Sequence, residues 1–260
     1  MATHPTDSPS KRRKRKPALR QLVEFKGMSL LSLQQYRNDV KQVYDGPKGA
    51  VLAMASLVSL HEPLMGLMLR ERKFDATRFH KILDVGSGAG QLLGHLIKTA
   101  NPSADLIGCD LSHQMLRRAR TRLNSKRPAY VTADLTQLPF DDNAFDCITC
   151  GWVIEHLHDP RPGLREFVRV LQPGGSILLL ATEDTVAGAF TSRTWKCRTY
   201  NRRELNRICE EVGLPWREQL YFTKLHRFLK MGGILVEATK QADSNVPMEL
   251  ESRGARRCQS

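Results

Sequence analysis

The sequence predicts an α/β protein built around a doubly wound, mainly parallel sheet. Between residues 81 and 181, short apolar segments alternate with helical segments that carry an apolar stripe on one side. Alternation of this kind forms right-handed strand–helix–strand units with parallel strands. A glycine-rich loop follows the first apolar segment, and sheets of this class bind ligands beyond the carboxyl ends of their strands.

Residues that begin a helix or end a strand separate the apolar segments. Ser112 is the predicted N-cap of the second helix in the alternation, and Asp159-Pro160 opens the third. A Pro-Gly-Gly turn is predicted at 171–175. The predicted strands are Lys81–Val85, Asp105–Asp110, 129–132, 145–150 and 176–181.

The chain after the fifth strand predicts one more helix and two more strands. The helix starts at Asn201, with Glu204 three residues later as a capping-box partner, and Gly213 ends it. The last strands lie near 216–224 and 233–239. The link between these two strands is too short for a helical crossover, so they should be antiparallel to each other.

The composition is that of a globular protein, with 41% hydrophobic and 26% charged residues among 260. No apolar run approaches the roughly 20 residues that a membrane-spanning helix needs. The N-terminus has no apolar core after its charges, unlike a secretory signal. The six cysteines are scattered and do not predict a disulfide framework. The cytoplasm is therefore the expected compartment.

The formal net charge is +13, and about half of the excess lies in the first twenty residues. Residues 11–16 read KRRKRK and belong to a stretch predicted to be disordered, because like charges repel and no apolar residues offset the entropy of ordering. Such a run is typical of a solvated tail. It is equally typical of a nuclear-import signal in a eukaryote, or of a segment that binds nucleic acid or an anionic surface.

The loop Gly86-Ser-Gly88-Ala-Gly90 lies between a predicted strand and a predicted helix. Glycines there allow positive φ angles and let a ligand approach the backbone closely. The spacing is G-x-G-x-G, and Gln91 stands where a dinucleotide-binding fingerprint has its third glycine. This argues against NAD or FAD. No Lys-Ser/Thr pair follows, so the loop is not a phosphate-binding Walker loop.

Two acidic residues follow the next two predicted strands. Asp110 comes twenty residues after Gly90, where an acid can accept hydrogen bonds from both hydroxyls of an adenosine ribose; a helix cap or a surface acid is the alternative. Asp134, together with the amide of Leu135, is placed to contact an adenine edge, but Asp is also a common turn residue.

These segments together resemble the class I S-adenosylmethionine-dependent methyltransferases, in particular the subfamily around the ubiquinone/menaquinone-biosynthesis C-methyltransferases. The motifs that carry the resemblance are KILDVGSGAGQ, CDLS, ADLTQLPFDDNAFD, EHLHD and VLQPGG, within about residues 80–182. The resemblance implies S-adenosylmethionine as the cofactor. It also implies a Rossmann-like seven-stranded sheet of order 3-2-1-4-5-7-6, with strand 7 antiparallel.

The resemblance assigns cofactor contacts by position. Leu111 and Met115 would flank the adenine, and Gly151 and Trp152 would lie beside the sulfonium. The complete implied set is Asp84, Gly86, Ser87, Gly88, Gly90, Asp110, Leu111, Met115, Asp134, Leu135, Gly151 and Trp152.

The resemblance also implies a division of the chain in which residues 21–240 form one methyltransferase domain. Helices predicted near 30–44, 48–60 and 62–72 belong to its first part. The expected parts are a disordered basic tail (1–20), an N-terminal helical lid (21–76), a cofactor-binding core (77–182), an acceptor-side segment with the final strands (183–240) and a second disordered tail (241–260).

His156 is the candidate catalytic residue. It follows the fourth predicted strand and faces the expected cleft, where it could act as a base if the acceptor is a phenol, an enol or a carbon acid; a structural role in the loop is the alternative. No metal site is expected, because Cys147 and Cys150 should point to opposite faces of a strand and have no second pair.

The sequence favours a small-molecule, quinone-like or lipid-like acceptor. A methyltransferase acting on RNA or protein is the alternative, with the basic tail and the arginines near 117–127 and 193–203 binding the substrate. The fourth strand, however, ends in Gly-Trp-Val-Ile and lacks the Asn/Asp-Pro-Pro-aromatic motif of amide and exocyclic nitrogen methylation. A cofactor-binding protein without turnover is a third hypothesis.

Overall fold

A computed structural model describes residues 61–195, 197–229 and 232–241. The helices are α1 (His61–Arg70), α2 (Gln91–Thr99), α3 (His113–Leu123), α4 (Arg161–Val170), α5 (Val186–Trp195), α6 (Arg202–Glu211) and α7 (Lys224–Leu229). The strands are β1 (Lys81–Val85), β2 (Asp105–Asp110), β3 (Pro128–Thr132), β4 (Phe145–Gly151), β5 (Leu171–Ala181), β6 (Trp216–Gln219) and β7 (Ile234–Thr239). Short 3-10 turns occupy Ala76–Arg78 and Ile154–His156.

The seven strands form one sheet of order β3-β2-β1-β4-β5-β7-β6. Strands β1 to β5 are parallel, and β7 runs antiparallel to both β5 and β6. The predicted sheet order and the antiparallel final pair are therefore confirmed. The strand order reverses between β1 and β4, and this switch point opens a crevice at the carboxyl ends of the parallel strands.

Apolar side chains cover both faces of the sheet, because alternate residues of each buried strand point to opposite sides. Ile148 belongs to the cluster beneath α4 and α6, and Leu178 belongs to the cluster beneath α1 and α2. Cys150 belongs to the first of these clusters, and Cys147 belongs to the second. The structure thus confirms that the two thiols point to opposite faces.

The structure contains both predicted helix caps, but the cap at Asn201 lacks the predicted contribution of Glu204. The Ser112 hydroxyl accepts a hydrogen bond from the Met115 amide at 3.1 Å, which caps α3. The Asn201 side chain caps α6 by accepting from the Arg203 amide. Glu204 does not close a capping box, because its carboxylate pairs with Arg198 at 2.9 Å.

The strand boundaries differ from the prediction at β5 and β6. The segment 171–175 is the irregular start of β5 and not a separate turn, because Leu171 pairs with Phe145 before the register shifts. Strand β6 already ends at Gln219, and the chain then forms α7. Helix α5 was also not predicted. Its sequence lacks a regular apolar stripe, and Thr185 caps it by accepting from the Gly188 amide at 3.0 Å.

Several predictions lie outside the described residues. They are the basic tail 1–20, the helices near 30–44 and 48–60, and the second tail beyond Gln241. Of the predicted lid 21–76, the structure describes only the last part, in which α1 agrees with the helix predicted near 62–72. None of the helices in the described ranges has the length and apolar character needed to span a membrane.

Candidate active site

The glycine loop between β1 and α2 forms one wall of the crevice. Gly86, Gly88 and Gly90 all have positive φ angles, of +70°, +53° and +83°. A Cβ on Gly86 would lie 2.1 Å from Val153 Cγ2, and a Cβ on Gly90 would lie 2.8 Å from a Leu123 methyl group of α3. The loop therefore needs glycine at these two positions for close packing, and at Gly88 the backbone faces more open space.

Asp110 turns toward this loop from the end of β2. One carboxylate oxygen accepts from the Gly88 amide at 2.9 Å, and the other accepts from the Ser112 amide at 2.8 Å. The carboxylate thus ties the glycine loop to the start of α3. Its contact with a ribose stays a prediction.

Asp84, at the end of β1, is almost fully buried beneath the loop. Thr149 donates to its Oδ1 atom at 2.6 Å, and the Ser87 hydroxyl donates to its backbone carbonyl at 2.8 Å. Its Oδ2 atom is buried and has no hydrogen-bond partner within the part of the chain that the structure describes. Burial, with a smaller contribution from the charge of Asp110, raises the pKa of Asp84 to about 6.

Three carboxylates lie around the Cys109 thiol, near the end of β2. Burial, followed by the negative charges of Asp110, Asp84 and Asp134 in that order, raises the pKa of the Cys109 thiol to about 12. Charges interact more strongly inside a protein than in water, so these three carboxylates together favour a cationic ligand in the crevice.

Met115 and Leu111 complete the wall on the α3 side. The Met115 side chain is buried against Ala89, and its methyl group would lie 3.7 Å from a Cβ on Gly88. Leu111 is partly buried just after Asp110. An apolar side chain thus lies next to the open part of the glycine loop, where a flat aromatic ligand could contact it.

Asp134 builds a turn after β3. Its Oδ1 atom accepts from both the amide and the hydroxyl of Thr136, each at 2.7 Å. The Leu135 side chain packs onto Gly163 of α4, where a Cβ would lie 2.0 Å from its Cδ1 atom. Asp134 therefore stabilises a turn, and its contact with an adenine edge stays a prediction, as does the contact predicted for the Leu135 amide.

Gly151 and Trp152 lie at the carboxyl end of β4, opposite the glycine loop across the switch point. Trp152 has a φ angle of +57°, which is uncommon for a non-glycine residue, and its amide donates to the Leu180 carbonyl at 2.8 Å. Strained backbone of this kind clusters at functional sites, where the surrounding structure holds it in place.

His156 ends the 3-10 turn that follows Trp152. Part of its surface remains open to solvent, but the dense surroundings of the ring lower its pKa to about 4. The imidazole is therefore neutral at pH 7. A neutral imidazole keeps a lone pair that can accept a proton.

Glu155 supports the loop that carries His156, and no pattern in the sequence singles it out. It is buried next to His156 and accepts hydrogen bonds from the Thr182 amide at 2.8 Å and from the Thr182 hydroxyl at 2.6 Å. Burial raises its pKa to about 7. The Tyr200 hydroxyl also donates to the Ile154 carbonyl at 3.0 Å. Together these contacts fix the 3-10 turn to the end of β5, and no local sequence signal reports them.

The described residues contain no group of three or more His, Cys, Asp or Glu side chains arranged to hold a metal ion.

The fold, the crevice and sequence comparison define the class of the protein. Residues 83–179 match the family described as "Methyltransferase domain". The chain carries a class I S-adenosylmethionine-dependent methyltransferase domain, and S-adenosylmethionine is the cofactor of that domain. The donor set fits this cofactor, because a buried carboxylate oxygen without a partner and a negative crevice suit a ligand with an ammonium and a sulfonium group.

Similar proteins have names from quinone biosynthesis. The chain is 35% identical over 104 residues to a ubiquinone/menaquinone biosynthesis C-methyltransferase of Idiomarina loihiensis. The matched segment covers 38% of this chain and 41% of the relative. It is 31% identical over 153 residues to a demethylmenaquinone methyltransferase of Clavibacter sepedonicus, covering 58% of this chain and 61% of the relative. The chain thus spans between two fifths and three fifths of the length of these two relatives.

Solved structures share the fold at low identity. A SAM-dependent methyltransferase from Aquifex aeolicus is 18% identical, with a TM-score of 0.56 over 72% of this chain and 97% of the other. The CurJ carbon methyltransferase is 16% identical, with a TM-score of 0.63 over 86% of this chain and 67% of the other. These similarities agree with the observed sheet order.

Proposed function

We propose that the protein transfers a methyl group from S-adenosylmethionine to a carbon atom of a small quinol-type acceptor. The observation that carries the proposal is the crevice at the switch point, where Asp84 and Asp110 converge below an open glycine loop. The names of the two quinone-biosynthesis relatives support the acceptor class.

The cofactor would be held by the residues that line this crevice. Asp110 would bind the ribose hydroxyls, and the buried Oδ2 atom of Asp84 would accept from the ammonium group. When bound, the cofactor supplies an electrophilic methyl group on a positively charged sulfur. The proposed contacts are Asp84, Gly86, Ser87, Gly88, Gly90, Asp110, Leu111, Met115, Asp134, Leu135, Gly151 and Trp152.

Cofactor affinity is expected to fall at acidic pH because of Asp84. Its pKa of about 6 lies above the usual value of 3.8, so the free protein binds a proton there as the pH falls below about 6. The ammonium group of the ligand needs the ionised form of Asp84, and affinity should therefore be roughly tenfold weaker at pH 5 than at pH 7. Calorimetric titration with S-adenosylhomocysteine at several pH values measures this. An Asp84→Asn variant should bind more weakly at pH 7 and lose the pH dependence, and an unchanged dependence would assign it to another group.

We infer that His156 accepts the proton that the acceptor hydroxyl loses as its ring carbon becomes nucleophilic. Its neutral imidazole is available throughout the physiological range, because its pKa is about 4. A His156→Ala variant is expected to lose about 100-fold in kcat with little change in cofactor affinity.

His158 provides the control for this prediction. It lies two residues further along the same loop, and it is exposed. A His158→Ala variant should retain wild-type turnover. If His156→Ala also retains wild-type turnover, His156 has only a structural role in the loop.

Some of the arginines that the sequence suggested for substrate binding are paired within the fold. Arg122 pairs with Glu62, Arg202 pairs with Glu183, and Arg127 donates to backbone carbonyls at the end of α2 and after it. These contacts do not favour an RNA substrate, because the same guanidinium groups would have to follow phosphates.

A methyl-transfer assay tests the proposed function. The purified full chain is incubated with S-adenosylmethionine and either demethylmenaquinol or total RNA, and products are analysed by mass spectrometry. The proposal expects methylation of a ring carbon of the quinol and no methylation of RNA. Methylated RNA with unchanged quinol would establish the alternative function.

A further inference from the structure

Helix α7 exposes two large apolar side chains at the surface. Phe228 is 84% exposed and Leu225 is 62% exposed. Among the large apolar side chains that the structure describes, the only other exposed one is Val186, at 44%. A contiguous exposed apolar surface normally marks a site of interaction with another molecule or with a membrane.

This surface lies at the same end of the sheet as the cofactor crevice. Helix α7 connects β6 to β7, and Ile234 at the start of β7 pairs with Ala181 at the end of β5. Val186 begins α5 shortly after the same end of β5. All three exposed apolar side chains therefore belong to segments that border the carboxyl ends of the parallel strands, where an acceptor must enter.

The residues before α7 hold it in this orientation. Phe222 is fully buried and contacts the His226 ring edge-on at 5.8 Å. The Thr223 hydroxyl accepts from the His226 amide at 3.2 Å, and Lys73 donates to the Phe222 carbonyl at 2.6 Å. The helix is thus anchored on one side, and Leu225 and Phe228 remain on the other.

Positive charges flank the apolar side chains. Lys224 and Arg227 of α7 are exposed, and so is Arg193 of α5. A short helix that combines exposed Leu and Phe with Lys and Arg has the composition of segments that lie in the interface of an anionic bilayer.

We propose that α7 docks the protein onto anionic membranes, with Leu225 and Phe228 entering the interface and the acceptor entrance facing the bilayer. The inference rests on the proposed function, because a lipid-soluble quinol resides in such a membrane. Residues 1–20 of the chain are a less suitable occupant of this surface. They contain seven Lys and Arg against one Asp, so they would repel Lys224 and Arg227. A second copy of the chain brings the same positive surface.

Vesicle cosedimentation of the full chain tests this proposal. Wild-type protein should bind vesicles of phosphatidylcholine with phosphatidylglycerol and bind pure phosphatidylcholine weakly. A Leu225→Ser/Phe228→Ser variant should bind the anionic vesicles at least about 30-fold more weakly, because two side chains no longer bury apolar area. A Lys224→Gln/Arg227→Gln variant should bind the anionic vesicles about 30-fold more weakly, with little change on pure phosphatidylcholine.

The control removes two positive charges elsewhere on the molecule. Arg117 and Lys126 are exposed on and just after α3, and Arg117→Gln/Lys126→Gln should bind vesicles as the wild type does. Wild-type binding by the Leu225/Phe228 variant would overturn the proposal. The proposal would also be overturned if the wild type formed a dimer that only the Leu225→Ser/Phe228→Ser substitution dissociated. It would be overturned as well if the wild type did not bind vesicles and this double substitution lowered its thermal stability.

A further readout separates the docking proposal from the proposed function. The Leu225→Ser/Phe228→Ser variant should methylate a short-chain, water-soluble quinol at the wild-type rate and a vesicle-embedded quinol more slowly. Equal rates on both acceptors would contradict docking. Vesicle binding by a wild-type protein that methylates neither quinol would support docking and contradict the quinol assignment.

Discussion

Replacing Gly86 with alanine is expected to abolish cofactor binding and destabilise the protein. The new Cβ would lie 2.1 Å from Val153 Cγ2, and the φ angle of +70° is unfavourable for alanine. Valine has a stiff side chain, so the loop that carries Trp152 and His156 must shift. We expect a loss of about 2–4 kcal/mol in the free energy of unfolding. S-adenosylhomocysteine should no longer raise the Tm in thermal unfolding.

Gly174 allows the steric effect to be separated from the backbone effect. Its φ angle is +77°, and a Cβ there would have no atom within 4 Å. A Gly174→Ala variant should therefore lose only about 1–2 kcal/mol and still gain stability from the ligand. Equal losses in both variants, or ligand stabilisation in both, would contradict the role assigned to Gly86.

Replacing Asp110 with asparagine is expected to weaken cofactor binding by roughly 30-fold or more. Both carboxylate oxygens accept from backbone amides, of Gly88 and Ser112, and an amide side chain can accept at only one of these positions. The other amide then faces an NH₂ group, and the crevice loses one negative charge. A charged hydrogen bond contributes about 2 kcal/mol, which corresponds to this change in Kd. Calorimetric titration with S-adenosylhomocysteine measures it.

Asp105 is the matched control because it lies at the opposite end of the same strand and is exposed. An Asp105→Asn variant should bind the ligand with wild-type affinity. The ribose assignment fails if Asp110→Asn binds as tightly as Asp105→Asn.

The parallel core of the fold could be predicted because its signals are local. The strand Lys81–Val85 is apolar, and the glycine loop and the helix that starts at Gln91 follow at once. Parallel topology then brings the ends of neighbouring strands together, which is why Asp84 and Asp110 converge as expected.

The rest of the site depends on long-range packing that no local pattern reports. Val153 fills the space above Gly86, and Glu155 binds Thr182, which lies 27 residues further along the chain. The acidic Glu155 looks like a surface residue in the sequence, and only its burial shows its role. Helix α5 has no clear periodicity, and α7 has six residues, too few for a periodic pattern.

The proposed function depends most on where the cofactor binds. A crystal structure of the full chain with S-adenosylhomocysteine tests this directly. We expect ligand density between the Gly86–Gly90 loop and Asp110, with the amino group of the ligand beside Asp84. Density at another site, with Asp84 and Asp110 keeping their present contacts and no ligand beside them, would contradict the account.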